Sequence, residues 1–201
     1  MSLRVAEGSA CATSGPGTQF LPPAPRLAAW GSSCGPATER DADAMIVRLM
    51  CEADLPALIN LQQAGAILGM ADVFPQDEHP FPRDTIVARW RDEIRSSDVD
   101  TYVATDGDGH LVGFAATTGS ELLHFGTAVD TWGDGTAQEL HEAVVRRLRA
   151  NADRISLHVF AENRRARRFY EKLGWSPTGA IRTSGFAPYP LLLEYALDIT
   201  A

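Results

Sequence analysis

Residues 157–175 read Leu157-His158-Val159-Phe160-Ala161-Glu162-Asn163-Arg164-Arg165-Ala166-Arg167-Arg168-Phe169-Tyr170-Glu171-Lys172-Leu173-Gly174-Trp175. Just upstream and into this stretch, Ile155, Leu157 and Val159 alternate with polar neighbours, so a half-buried strand is expected over Arg154–Val159. Asn163 stands at the entrance of a helix expected over Glu162–Leu173. Within it Ala166, Phe169, Tyr170 and Leu173 recur at i, i+3, i+4 and i+7, a single buried stripe. Gly174 then stops the helix. Spacing alone makes Tyr170 a core aromatic whose hydroxyl reaches water. The functional reading makes it a phenol that ends in a cleft and donates a proton.

Upstream, a strand over Glu121–Val129 leads through Val129-Asp130-Thr131-Trp132-Gly133-Asp134-Gly135-Thr136-Ala137 into a helix over Gly135–Ala150. Glycines let the backbone turn tightly, so successive N–H groups can converge on an anion. The free N–H groups and positive dipole end of the following helix add to this, and a pyrophosphate would fit. Two glycines before a helix are more often a plain turn. The loop is not a Walker loop, for no Gly-Lys-Ser/Thr follows, and it lacks the third glycine of a dinucleotide fingerprint.

The remaining pattern extends in both directions. Ile46–Met50 reads as a strand, and Asp54–Met70 as a helix with Pro56 tolerated in its first turn. The break Phe74–Pro82 precedes a helix from Asp84, its expected cap, to about Arg95. Strands over Thr101–Ala104 and His110–Thr117 are joined by Asp106-Gly107-Asp108-Gly109, a hairpin signal. Two last strands are expected at 179–186 and 191–198. The order β-α-α-β-β-β-α-β-α-β-β describes an α/β domain around a mixed, largely antiparallel sheet. The apolar strand Leu191–Leu197 is either central or an exposed edge, and an exposed edge would invite pairing with a second copy, so a homodimer is a possible assembly.

Residues 1–44 differ from the rest. They hold five of the twelve prolines and five of the seventeen glycines without any helical or strand period, and read as a flexible tail before a domain over 45–201. The segment has neither the basic start nor the apolar stretch of a secretory signal. The net charge of −8 and sequence pI near 5.1 argue against a general nucleic-acid binder. No apolar run approaches the ~20 residues that span a bilayer. Cys11, Cys34 and Cys51 are odd in number and lack metal-ligand spacing, so neither a disulfide framework nor a metal site is expected. A reduced, cytoplasmic protein fits these features.

The asparagine, small residue, Phe-Tyr, Glu-Lys-Leu-Gly and following aromatic of residues 163–175 resemble the closing motif of the GNAT superfamily of acyl-CoA N-acyltransferases. The loop Trp132–Ala137 is similar to that family's Gln/Arg-x-x-Gly-x-Gly/Ala pyrophosphate loop, at the expected distance upstream. The resemblance covers about residues 46–198, including the helix pair, the Asp-Gly hairpin and Gly113-Phe114-Ala115. The proline-rich segment before the second helix also resembles a branch of bacterial members. The resemblance implies about seven strands flanked by four helices, with a parallel pair splayed apart to admit acetyl-CoA.

Carried over residue by residue, it implies that Phe125, Gly126 and Thr127 offer backbone groups to the pantetheine arm. The backbone of Gly133, Asp134, Gly135, Thr136 and Ala137 would hold the pyrophosphate, Asn163 would bind the cofactor, and Tyr170 would sit beside the thioester sulfur. Two positions depart from the family pattern. Trp132 replaces the usual Gln or Arg, so that side-chain contact is lost, and Asp134 sets a negative charge beside the phosphates. Arg164, Arg165, Arg167 and Arg168 either offset that charge or form a solvated helix face.

The implied reaction is direct attack of an amine on acetyl-CoA, which requires a neutral amine and no enzyme nucleophile. Glu121 and His124 on the strand before the loop are the candidate bases. Three residues apart on a regular strand, they face opposite sides, and only one reaches the cleft. His79 suits a substrate loop, His110 and His158 read as plain strand residues, and His141 as helix surface. Cys51 reads as a small packed residue. The segment Val73–Pro82, with Phe74, Phe81 and Trp90 as an apolar wall and Asp77 and Glu78 as acids, is where a small-molecule amine would enter. The competing reading is a non-catalytic acyl-CoA-binding module.

Overall fold

A computed structural model describes residues 45–150 and 152–199. The tail expected at residues 1–44, with Cys11 and Cys34, lies outside the described residues. The elements are β1 (Ile46–Leu49), α1 (Leu55–Gly69), α2 (Arg83–Arg95), β2 (Asp100–Thr105), β3 (Leu111–Thr118), β4 (Glu121–Thr127), α3 (Thr136–Leu148), β5 (Arg154–Phe160), α4 (Arg164–Lys172), β6 (Ser176–Thr183) and β7 (Leu191–Asp198). They form one seven-stranded sheet in the order β1-β2-β3-β4-β5-β7-β6. Every neighbouring pair is antiparallel except β4 and β5.

Alternation along the strands builds a core on each face of the sheet. Tyr102, Ala104, Ala115, Leu122, Ile155 and Leu157 pack with Leu140 and Val144 of α3 and Tyr170 of α4. Val103, Phe114 and Ala116 point the other way, against Leu55, Leu58 and Ile59 of α1 and Ile86 and Trp90 of α2. The helix boundaries follow the expected physics with two adjustments. Pro82, not Asp84, stands at the N-cap of α2, and Asp84 falls inside the first turn, where its charge still favours the positive dipole end. Half-buried Cys51 heads a single 3-10 turn, Glu52–Asp54, that precedes α1; its N–H donates to the Asp54 carboxylate at 2.9 Å.

Strand β7 lies inside the sheet between β5 and β6, so the strand left open as central or edge is central. The free edge on that side is β6, exposed along its whole length. Among the described residues no helix is long and apolar enough to cross a membrane. No group of three or more His, Cys, Asp or Glu among them has the arrangement to hold a metal ion.

Candidate active site

The parallel pair is short. Only Glu121 with Ser156 and Leu122 with Leu157 are in register, after which β4 continues to Thr127 and β5 to Phe160 without pairing. Each strand stays paired on its outer side, β4 with β3 and β5 with β7. A gap therefore opens between residues 123–127 and 158–160, its sides held rigid by the rest of the sheet.

A bulge on β4 sits at the start of that gap. Thr117 pairs with Leu122 and the adjacent Ala116 with His124, leaving Leu123 as an extra residue. One extra residue inverts the alternation. Leu122 enters the α3–α4 core, while His124 turns to the α1–α2 face and lies 5.0 Å, ring to ring, from Trp90. Glu121 reaches His158, which alternates with Ile155, Leu157 and Val159 and so also faces away from the α3–α4 core. The expectation that Glu121 and His124 face opposite sides holds only for a regular strand; the bulge puts them on one side.

Each candidate base is half of a close pair. Oε1 of Glu121 lies 2.8 Å from Nδ1 of His158 and 3.8 Å from the Arg182 guanidinium. Nε2 of His124 lies 2.8 Å from Oε1 of Glu93 on α2, with Arg89 beside the same oxygen at 3.8 Å. The second pair is a packed cluster under α2, where Glu93 Oε2 and Arg89 Nε are buried without a hydrogen-bond partner. The first pair stands where the parallel strands part. His158, read from sequence as a plain strand residue, is thus paired with a candidate base at the start of the gap, and Glu93 is an unexpected partner of His124. Neither carries a local sequence signal, since each pair joins residues more than thirty positions apart.

The gap leads to the glycine loop. β4 ends at Thr127, two residues short of the expected Val129, because a 3-10 turn over Val129–Thr131 takes over. Gly133 and Gly135 have φ of +100° and +106°, a region costly for any residue with a side chain, and Gly135 caps α3. The space above them is open, with no atom within 4 Å of where a β-carbon would stand. Neither N–H has an acceptor among the described residues. An anion therefore fits here. Asp134 bends back on the same loop, its exposed carboxylate accepting the Thr136 N–H at 2.9 Å. That hydrogen bond holds the Asp134 carboxyl below its ordinary range.

Trp132 closes one side of the loop. Its indole Nε1–H donates to the Thr127 carbonyl at 3.4 Å, and its ring carries the Arg165 guanidinium 3.6 Å from the centroid. Asn163 caps α4, its Oδ1 accepting the Ala166 N–H at 3.0 Å.

Tyr170 is 7% exposed, within an aromatic cluster of Phe125, Phe169, His141 and Trp175. Burial pushes its phenol well above the ordinary value, and its hydroxyl has no hydrogen-bond partner among the described residues. His141, expected on the helix surface, is 4% exposed, and its Nε2 accepts from the Trp175 indole at 2.9 Å.

On the opposite side, the segment between α1 and α2 is stapled by Gln76, which donates to the Phe74 carbonyl at 2.8 Å and accepts from the Phe81 N–H at 3.1 Å. Phe74 meets Phe160 edge-on at 5.2 Å, so the segment touches the tip of β5. Trp90 is not part of an entrance wall; it is fully buried beneath α2. Asp77 and Glu78 are exposed.

Residues 27–175 match the family model described as the acetyltransferase (GNAT) family. No curated protein sequence matches the chain. Among solved structures, the spermidine N-acetyltransferase from Vibrio cholerae in complex with CoA and spermine is 20% identical, covering 77% of this chain and 95% of that one, with a TM-score of 0.59. The ribosomal-protein-S18-alanine N-acetyltransferase from Escherichia coli is 20% identical over 79% and 96% of the two chains, with a TM-score of 0.57. An N-acetyltransferase from Staphylococcus aureus Mu50 is 17% identical over 78% and 99%, with a TM-score of 0.60.

Proposed function

The chain belongs to the GNAT acetyltransferase family, and on that premise we propose that it transfers an acetyl group from acetyl-CoA to a primary amine of a small molecule by direct attack, with Tyr170 as proton donor. The observation that carries this reading is the gap between β4 and β5, which starts at the bulge and ends on the open glycine loop. Strand β4 has an unpaired side facing that gap, and unpaired backbone groups suit an extended arm bearing amides. Acetyl-CoA supplies an acyl group already activated on sulfur, so the chain needs no nucleophile of its own.

The roles then divide by position. Phe125, Gly126 and Thr127 line the arm, and the backbone of Gly133 to Ala137 takes the diphosphate at the α3 N-terminus. Tyr170 keeps its proton in apolar surroundings and has no internal acceptor, so its O–H is free to hydrogen-bond the departing sulfur; burial raises the phenol above a thiol's ordinary pKa of about 8.5, so complete proton transfer requires the thiolate to be desolvated as well. The Glu121–His158 pair is assigned as the base. A carboxylate accepting from Nδ1 leaves Nε2 of the imidazole with the lone pair that removes the amine's proton. His124 is engaged with Glu93 under α2 and is left out of that role.

Calorimetric titration with acetyl-CoA and CoA, with ATP and NAD as controls, tests the donor. Saturable binding of both CoA species alone supports the reading; no binding at millimolar acetyl-CoA overturns it. Thiol release against a panel of small amines then tests transfer. Tyr170→Phe should lower kcat by at least about a hundredfold while leaving CoA affinity near normal. A chain that binds acetyl-CoA, turns over no amine and is indifferent to Tyr170→Phe would instead be a binding module.

A further inference from the structure

We infer that Arg165, laid flat on the Trp132 indole, supplies the positive charge that an acyl-CoA diphosphate meets at the glycine loop. The inference rests on the acetyl-CoA reading above and adds a residue to it. Trp132 is wedged among three elements. Its Nε1–H holds the Thr127 carbonyl at the end of β4, and its Cη2 lies 3.2 Å from where a β-carbon on Gly69 of α1 would stand. The face of the ring carries the guanidinium of Arg165, from the first turn of α4, at 3.6 Å. A large aromatic in the loop, useless as a phosphate ligand itself, thereby holds a cation at the start of the loop, on the residue that precedes Gly133.

The neighbouring arginines do not share this placement. Arg167 turns inward, donating to the Tyr195 hydroxyl at 3.1 Å and to the Ala161 carbonyl at 3.0 Å. Arg164, Arg165 and Arg168 are all exposed, but of the three only Arg165 lies over an aromatic ring among the described residues. Arg165 makes no ion pair among the described residues, so its planar set of donors is uncommitted and matches phosphate oxygens in pairs. Stacking on the ring restrains the long side chain before binding, which reduces the entropy lost on contact. The local need is real: the Asp134 carboxylate already occupies the Thr136 N–H, and the chain carries a net charge of −8.

The test is calorimetry on the full chain with pantetheine, dephospho-CoA and CoA, for wild type, Arg165→Gln, Arg164→Gln and Trp132→Leu. Arg165→Gln should weaken dephospho-CoA and CoA about tenfold each and leave pantetheine unchanged. Trp132→Leu should give a similar selective loss through release of the arginine, and Arg164→Gln a clearly smaller one. Equal losses in Arg164→Gln and Arg165→Gln would reduce the effect to general charge and overturn the assignment. So would a loss confined to CoA, which points to the 3′-phosphate, or an equal loss for pantetheine, which points to structural damage. Wild-type protein that binds none of the three ligands would sink the acetyl-CoA reading itself, whereas normal CoA binding by Arg165→Gln would sink only this inference.

Discussion

The indole Nε1–H of Trp175 donates to Nε2 of His141 at 2.9 Å, joining the third residue after α4 to the middle of α3 inside the aromatic cluster around Tyr170. An imidazole that accepts at Nε2 carries its proton on Nδ1, which is buried without a partner. Burial lowers the His141 pKa from 6.5 to about 4.

This makes stability pH-dependent in a defined window. Between pH 6.5 and 4 the unfolded chain takes up a proton that the folded chain refuses, so stability is full above 6.5 and falls as pH drops toward 4. The loss from this group amounts to about 3 kcal/mol at most. Urea unfolding midpoints at pH 7.5, 6 and 5 check it. His141→Phe should flatten the slope in this window while lowering stability at pH 7.5, since it leaves the Trp175 N–H unpaired at a cost of about 1–3 kcal/mol.

Asp134 accepts the Thr136 N–H where an anion would dock, so the loop holds an internal competitor for the diphosphate. Asp134→Asn keeps an acceptor for that N–H and removes the charge. CoA should bind several-fold more tightly to this variant at low ionic strength. The advantage should shrink at about 0.5 M salt, because screening acts on an exposed charge. Calorimetric Kd values at two salt concentrations decide it.

Gly126 lies against the ring of Phe114, whose nearest atoms stand 2.6 and 2.7 Å from where a β-carbon would be. That ring is itself wedged edge-on against Trp90 at 5.6 Å. Gly126→Ala should therefore destabilise the chain by about 1–3 kcal/mol, the usual cost of overpacking. A urea midpoint equal to wild type would show that Phe114 can yield.

The two His–Glu pairs should separate in kinetics. His158→Gln should cut kcat strongly and remove the acidic limb of the pH–rate profile. His124→Gln should leave that limb in place and act mainly on stability, costing about 1–3 kcal/mol, because Glu93 loses its close partner in a buried cluster. An unchanged profile in His158→Gln would remove that pair from the mechanism.

Local patterns carry local information, and they were sufficient wherever a structural feature is written within a few consecutive residues. The stripe Ala166, Phe169, Tyr170 and Leu173, the stop at Gly174, the Asp106–Gly109 hairpin and the glycine loop before α3 all form as their spacing implies. Boundaries shifted where two signals met. β6 begins at Ser176 because the chain enters the sheet directly after Trp175, with the positive φ of Gly179 absorbed inside the strand.

The sequence by itself determined the element order, the sheet's mixed character and the chemical type of the loop, since periodicity, turn residues and helix caps act between near neighbours. Only the tertiary structure decided which side chains meet. The Leu123 bulge arises from pairing with β3 and turns His124 to the same side as Glu121. His141 is buried because Trp175 and Phe125 close over it, and Arg165 reaches Trp132 because α4 returns past the end of β4. The contacts of His141 and Arg165 join positions 16 to 34 residues apart, and the bulge depends on how β4 settles against β3, so no short-range pattern encodes them.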